Sequence, residues 1–160
     1  YGPHGSAHRM ARAYDLPYNP GMTHEFDFRV FSSEPFEVGP FTVSVVPVIH
    51  PVEAYAIRLE HGGRTLVYSG DTAPTPELVR IAQDADVFLC EAAFLSDRDN
   101  PDGLHLTGRE AGQAATDAGV SSLVVTHVPP WGDPARAMAE AKETFAGPLD
   151  LAAPGLTVDV

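Results

Sequence analysis

Leu66-Val67-Tyr68-Ser69-Gly70-Asp71-Thr72 is a run of strand-forming residues that ends in a glycine followed by a carboxylate. The layout recurs at Val87-Phe88-Leu89-Cys90-Glu91 and at Leu123-Val124-Val125-Thr126-His127. Each short apolar strand delivers, at its carboxyl end, a side chain able to bind a metal or move a proton. Strand carboxyl ends, where loops begin, are where α/β folds build their sites. The stretch from Leu66 to His127 therefore organises the chain.

Working outward, Thr75-Pro76 predicts an N-cap and first-turn pair for a helix through Ala82. Thr107-Gly108-Arg109-Glu110 is a capping box, and its helix is expected to end at Ala118 before Gly119. Asp133-Pro134 should start another helix, reaching to about Phe145. Upstream, Tyr55 to Glu60 alternates as a strand, and His61-Gly62-Gly63-Arg64 makes the turn into Thr65. Phe41 to Ile49 reads as a long strand that delivers His50, and Pro35 to Gly39 as a short edge strand. Near the start, Ser6 is expected to cap a helix from Ala7 to Tyr14 with Met10 and Ala13 facing inward. Phe26, Phe28 and Val30 alternate as a half-buried strand, and Leu149 to Ala152 and Leu156 to Val160 are candidate closing strands. Hairpins followed by alternating helices and strands predict an α/β (α+β) domain with a mixed sheet.

At 160 residues the length predicts one domain with a sizeable core. A net charge of -12 argues against a broad phosphate-gripping surface, because nonspecific nucleic-acid affinity needs Lys and Arg to displace counterions. A small anionic substrate held through metal is compatible with that charge. The lone Cys90 excludes an intramolecular disulfide and fits a reducing compartment, so a cytoplasmic location is expected. No apolar run approaches the roughly 20 residues of a membrane span. The chain opens on Tyr1 rather than Met, and Tyr1-Gly2-Pro3 reads as a strand end entering a turn.

The candidate site residues are His50, Asp71, Glu91, His105 and His127. Imidazole and carboxylate ligands together suit Zn, Mn or Fe, and paired cations lower the pKa of bound water and clamp both oxygens of a displacement. Each residue also has a plainer reading. His50 before Pro51 can close a strand, Asp71 can form an Asx turn, and His105 can lie on the surface ahead of a helix. Glu91 is either a solvated strand end or, the reading favoured here, a partner that orients a histidine. His4, His8, His24 and His61 have no strand-end placement and read as surface residues.

Together, Ser69-Gly70-Asp71-Thr72, Glu91-Ala92-Ala93-Phe94, His105-Leu106-Thr107-Gly108-Arg109-Glu110-Ala111 and Val125-Thr126-His127 resemble the second half of a metallo-β-lactamase-fold hydrolase of the ribonuclease Z-like branch. His50-Pro51-Val52-Glu53-Ala54-Tyr55-Ala56-Ile57-Arg58 is similar to that branch's histidine preceding a strand. The resemblance implies an αβ/βα sandwich, here mainly its C-terminal half, and a two-metal site usually filled by zinc. It implies that His50 and His127 are ligands of different metals, with Asp71 bridging. It makes His105 the catalytic residue that contacts the scissile phosphate or acts as general acid, oriented by Glu91. Two departures stand out. The family's His-x-His-x-Asp-His signature is absent, and four residues replace the long tRNA-gripping arm. The first points to a partial fold with too few ligands for two metals, expected to be inactive without the missing half. The second, with the net charge of -12, points to a small-molecule or short phosphodiester substrate rather than tRNA. A homo-oligomer is expected through any core face left uncovered, and a non-catalytic, self-associating or partner-binding domain is the second reading.

Overall fold

A computed structural model of the chain describes all of residues 1–160. It divides into two compact units, Tyr1–Ser33 and Glu34–Val160.

The first unit holds one helix, α1 (Ser6–Ala13). Its N-cap is Gly5 in the left-handed region, so Ser6 is the first helical residue and not the cap. The Ser6 hydroxyl instead donates to the Pro3 carbonyl at 2.7 Å. Ala11 is the buried position of α1, while Met10 is partly buried and Ala13 exposed. Eight residues with few large apolar side chains gave periodicity too little to choose a face. The strand expected over Phe26 to Phe31 does not form. Only Gly2 and Val30 bridge, because alternation yields a strand only where a partner runs alongside.

The second unit is a seven-stranded mixed sheet. Its strands are β1 (Phe36–Val38), β2 (Phe41–Pro47), β3 (Tyr55–His61), β4 (Arg64–Tyr68), β5 (Val87–Glu91), β6 (Ser122–Thr126) and β7 (Leu149–Leu151). They lie in sequence order across the sheet. The first three pairings are antiparallel and the last three parallel. Three helices make the connections among β4 to β7: α2 (Pro76–Ala82), α3 (Gly108–Ala118) and α4 (Pro134–Thr144). All three begin where their caps predict. Thr75 Oγ1 accepts from Glu77 N–H, Thr107 and Glu110 form the reciprocal capping box, and Asp133 Oδ1 accepts from Ala135 and Arg136 N–H. β2 stops at Pro47, two residues earlier than expected, although Val48 N–H still reaches Ala54 O and Ile49 still bridges Ala73. The tail turns at Pro154-Gly155 and forms no second closing strand. Leu156, Val158 and Val160 line a cleft of about 250 Å³ with Leu66, Leu89 and Val124.

Period-two alternation separates the two faces of the sheet. Ala56, Val67, Phe88, Cys90, Leu123 and Val125 form one core with Leu78, Ile81 and Ala82 of α2 and the alanines of α3. α3 approaches α4 closely because Gly108 and Gly112 carry no side chain. A Cβ on either would fall on the carbonyl oxygens of Ala137 and Ala141. Ile57, Tyr68, Leu89 and Val124 share the other face.

Candidate active site

The three strand ends singled out in the sequence converge, joined by His105 and His50. Glu91, the last residue of β5, is fully buried. Its Oε1 accepts from Thr72 N–H at 2.7 Å and faces His105 Nδ1 at 2.8 Å. Its Oε2 accepts from Ala93 N–H at 3.2 Å and Leu106 N–H at 3.3 Å. Four partners occupy roughly the four lone-pair directions that a carboxylate offers. Glu91 therefore has no oxygen to spare for a metal, even though its carboxylate and donor atoms of His105 and His127 all lie within 4.8 Å of one another. Because the carboxylate only accepts, His105 presents Nδ1–H to it and leaves Nε2 free.

The His105 ring is also set by packing. Phe94 meets it edge-on at 5.1 Å between centroids, and the flanking Leu106 is 1 % exposed. The His105 ring lies 5.6 Å from that of His50 and 5.0 Å from that of His127. His127 Nδ1 faces Asp71 Oδ1 at 3.3 Å, long for a hydrogen bond and with both side chains about two-fifths exposed. His127 itself takes φ +60°, a left-handed backbone that a non-glycine residue rarely adopts. Such strain concentrates at functional sites. His50 Nδ1 is buried and has no hydrogen-bond partner. A buried, orphaned imidazole nitrogen fits a metal ligand, since an unpaired polar atom otherwise loses its hydration without return.

Supporting residues that sequence reasoning passed over are Ser69, Thr72 and Phe94. Ser69, fully buried, accepts from Glu91 N–H at 2.9 Å and donates to Gly70 O at 2.7 Å. Thr72 supplies the shortest N–H bond to Glu91. The Ser-Gly-Asp-Thr run was noticed for its glycine and aspartate, and only the parallel pairing of β4 with β5 reveals that its flanking residues hold the glutamate. Cys90 lies beside this network, and burial pushes its thiol up, far outside the range of a reactive thiolate. Burial also raises Tyr68 above the usual phenol value, with Asp71 adding to the effect.

A mixed sheet with helices on one face, bearing histidines and carboxylates at the ends of its parallel strands, is the α/β architecture of the metallo-β-lactamase fold. The chain belongs to the beta-lactamase superfamily domain family, whose model matches residues 5–128. The protein ML1173 of Mycobacterium leprae is 40% identical over 165 residues, covering 100% of this chain and 58% of that protein. YhfI of Bacillus subtilis, named a probable metallo-hydrolase, is 34% identical over 133 residues, 83% of this chain and 54% of its own. A ribonuclease Z from Myxococcus xanthus is 40% identical over 102 residues, 61% of this chain and 33% of that enzyme. The crystal structure of YhfI, a metallo-beta-lactamase fold protein, superposes with a TM-score of 0.81 at 29% identity, covering 97% of this chain and 62% of that one. The chain thus spans a little over half the length of the first two of these relatives. The fold and family read from the sequence are those found. The tRNA-gripping arm is absent, and the two-residue turn Gly62-Gly63 joins β3 directly to β4.

Proposed function

We propose that this chain carries part of a metal-dependent phosphodiesterase site acting on a small or single-stranded phosphodiester, with too few ligands to hold two metals by itself. His50, Asp71 and His127 would hold divalent metal, zinc by preference and Mn or Fe as alternatives. The orphaned His50 nitrogen and the facing Asp71 and His127 atoms fit that role. When bound, such metal polarises the phosphoryl oxygens and activates water. The remaining chemistry belongs to the chain's own groups. The His105 ring lies 5.6 Å from that of His50 and 5.0 Å from that of His127, and its free Nε2 would donate a proton to the leaving oxygen. Glu91 holds the ring's tautomer and compensates the charge it carries during transfer. Glu91 itself is fixed by three backbone N–H groups, so it positions and does not react.

The observation that carries this reading is the saturated Glu91 carboxylate paired with His105. It supports a proton-transfer role for His105 and a metal-binding role for His50, Asp71 and His127. In the full-length protein, His105→Ala should lower turnover of bis-p-nitrophenyl phosphate by about 10²–10⁴-fold with metal content unchanged. His127→Ala should lose both metal and activity. Metal stoichiometry measured beside hydrolysis separates the two, and the assignment of roles fails if His105→Ala sheds metal as fully as His127→Ala does.

A further inference from the structure

β4 and β5 run parallel, and their backbone ladder stops just short of the site. Ser69 N–H still bonds Leu89 O at 3.0 Å. The next rung of a parallel ladder would bring Glu91 N–H to the Ser69 carbonyl. Instead Glu91 N–H bonds the Ser69 hydroxyl at 2.9 Å, and that hydroxyl donates to Gly70 O at 2.7 Å. A side chain thus replaces the backbone acceptor where Gly70, at φ +62°, turns the chain away from β5. Thr72 N–H then returns to the Glu91 carboxylate at 2.7 Å. Gly70 and Asp71 are therefore bracketed by two residues, Ser69 and Thr72, each bonded to Glu91. Ser69, Thr72 and Glu91 are all 0 % exposed, a burial that further chain around the site cannot undo.

We propose that Ser69 is a positioning residue whose hydroxyl fixes the Glu91–His105 pair in register with the turn that carries Asp71. The proposal rests on the phosphodiesterase reading above and names the side chain that holds its proton-transfer pair in place. Of the bonds that reach Glu91, only those of Ser69 and His105 come from side chains. The rest are backbone groups, which substitution leaves in place. Without the hydroxyl, Glu91 N–H and Gly70 C=O lose their partner in a region closed to solvent, and the gap left by one oxygen is too small to admit water. The end of β5 must then shift to pair them, and the carboxylate moves with it. That movement frees His105 Nδ1 from its acceptor, so the ring populates both tautomers. No bond of Ser69 reaches the side chain of His50, Asp71 or His127, so metal content should hold.

The test uses full-length protein and three variants: Ser69→Ala, Ser69→Cys, which fills the space with a weak acceptor, and Ser69→Thr, which keeps the hydroxyl. Imidazole nitrogen-15 resonances of the metal-free protein, assigned to His105 by their loss in His105→Ala, read the tautomer without any turnover. Native protein and Ser69→Thr should show His105 protonated at Nδ1 alone, and Ser69→Ala and Ser69→Cys a mixture. Turnover is followed on bis-p-nitrophenyl phosphate and on diphenyl phosphate, whose leaving group is the stronger base and depends more on a proton donor. Ser69→Ala should lower kcat by about 10–100-fold, more on diphenyl phosphate, with KM and metal stoichiometry unchanged. A fold merely loosened would lower the urea midpoint and slow both substrates alike. The proposal is overturned by an unmixed Nδ1–H tautomer in the variants lacking the hydroxyl, by equal losses on both phosphodiesters, or by metal loss as complete as in His127→Ala. If native protein hydrolyses neither phosphodiester, the phosphodiesterase reading falls, and the His105 resonances alone decide the role of Ser69.

Discussion

Gly70 shows how one residue admits the site. It takes φ +62°, and a Cβ there would sit 2.5 Å from the Tyr55 carbonyl oxygen. Both effects forbid a side chain immediately before Asp71. Gly70→Ala should therefore destabilise the fold by about 3 kcal/mol, read as a lowered urea midpoint. An unchanged midpoint would show that the turn relaxes freely. His127 takes nearly the same backbone region without being glycine, so the strain there falls on a candidate site residue. At this scale the sequence was legible in part. Asp71, Glu91 and His127 were visible because strand ends are marked by short apolar runs. The saturation of Glu91 was not visible, since three of its four partners are backbone N–H groups contributed by Thr72, Ala93 and Leu106, which no residue type announces.

Among the elements, α4 does more than cover the sheet. Glu140, its one buried polar residue, accepts Ser96 N–H with both carboxylate oxygens, at 2.9 and 3.2 Å. One turn earlier, Arg136 pairs with Asp97. Together they clamp the segment that runs from Glu91 to His105. Glu140→Ala should speed amide exchange at Ser96 by about 10–100-fold, as expected for losing a bond to a charged acceptor, while Glu140→Gln restores most of the protection. Exchange unaltered in Glu140→Ala would mean that the segment holds itself. The helices were the most legible elements. Thr75, Thr107 with Glu110, Asp133 with Pro134, and Gly119 are local signals that work whatever packs nearby. The strands expected over Phe26 to Phe31 and Leu156 to Val160 failed for the opposite reason. Alternating apolar residues describe a surface that could be half buried, but only a neighbouring backbone turns that surface into a strand.

For the molecule as a whole, the second unit keeps all three of its crossover helices on one side of the sheet. On the other side Ile57, Leu59, Leu66 and Leu89 are only half buried. An apolar face of this kind favours pairing, so residues 1–160 produced alone should form a dimer or higher oligomer through it at micromolar concentration. Light scattering that finds a monodisperse monomer would refute this, and Leu66→Lys should shift the equilibrium toward monomer. No helix of the chain is long and apolar enough to cross a membrane. The strictly sequential order of β1 to β7 has one more consequence, which concerns how the fold is made. No strand has to be threaded between two others already paired. As the chain leaves the ribosome, each new strand finds the edge it needs already present and becomes the edge for the next. Assembly can therefore proceed by accretion from one end, with a single growing edge and few long loops to close before the next contact rewards them.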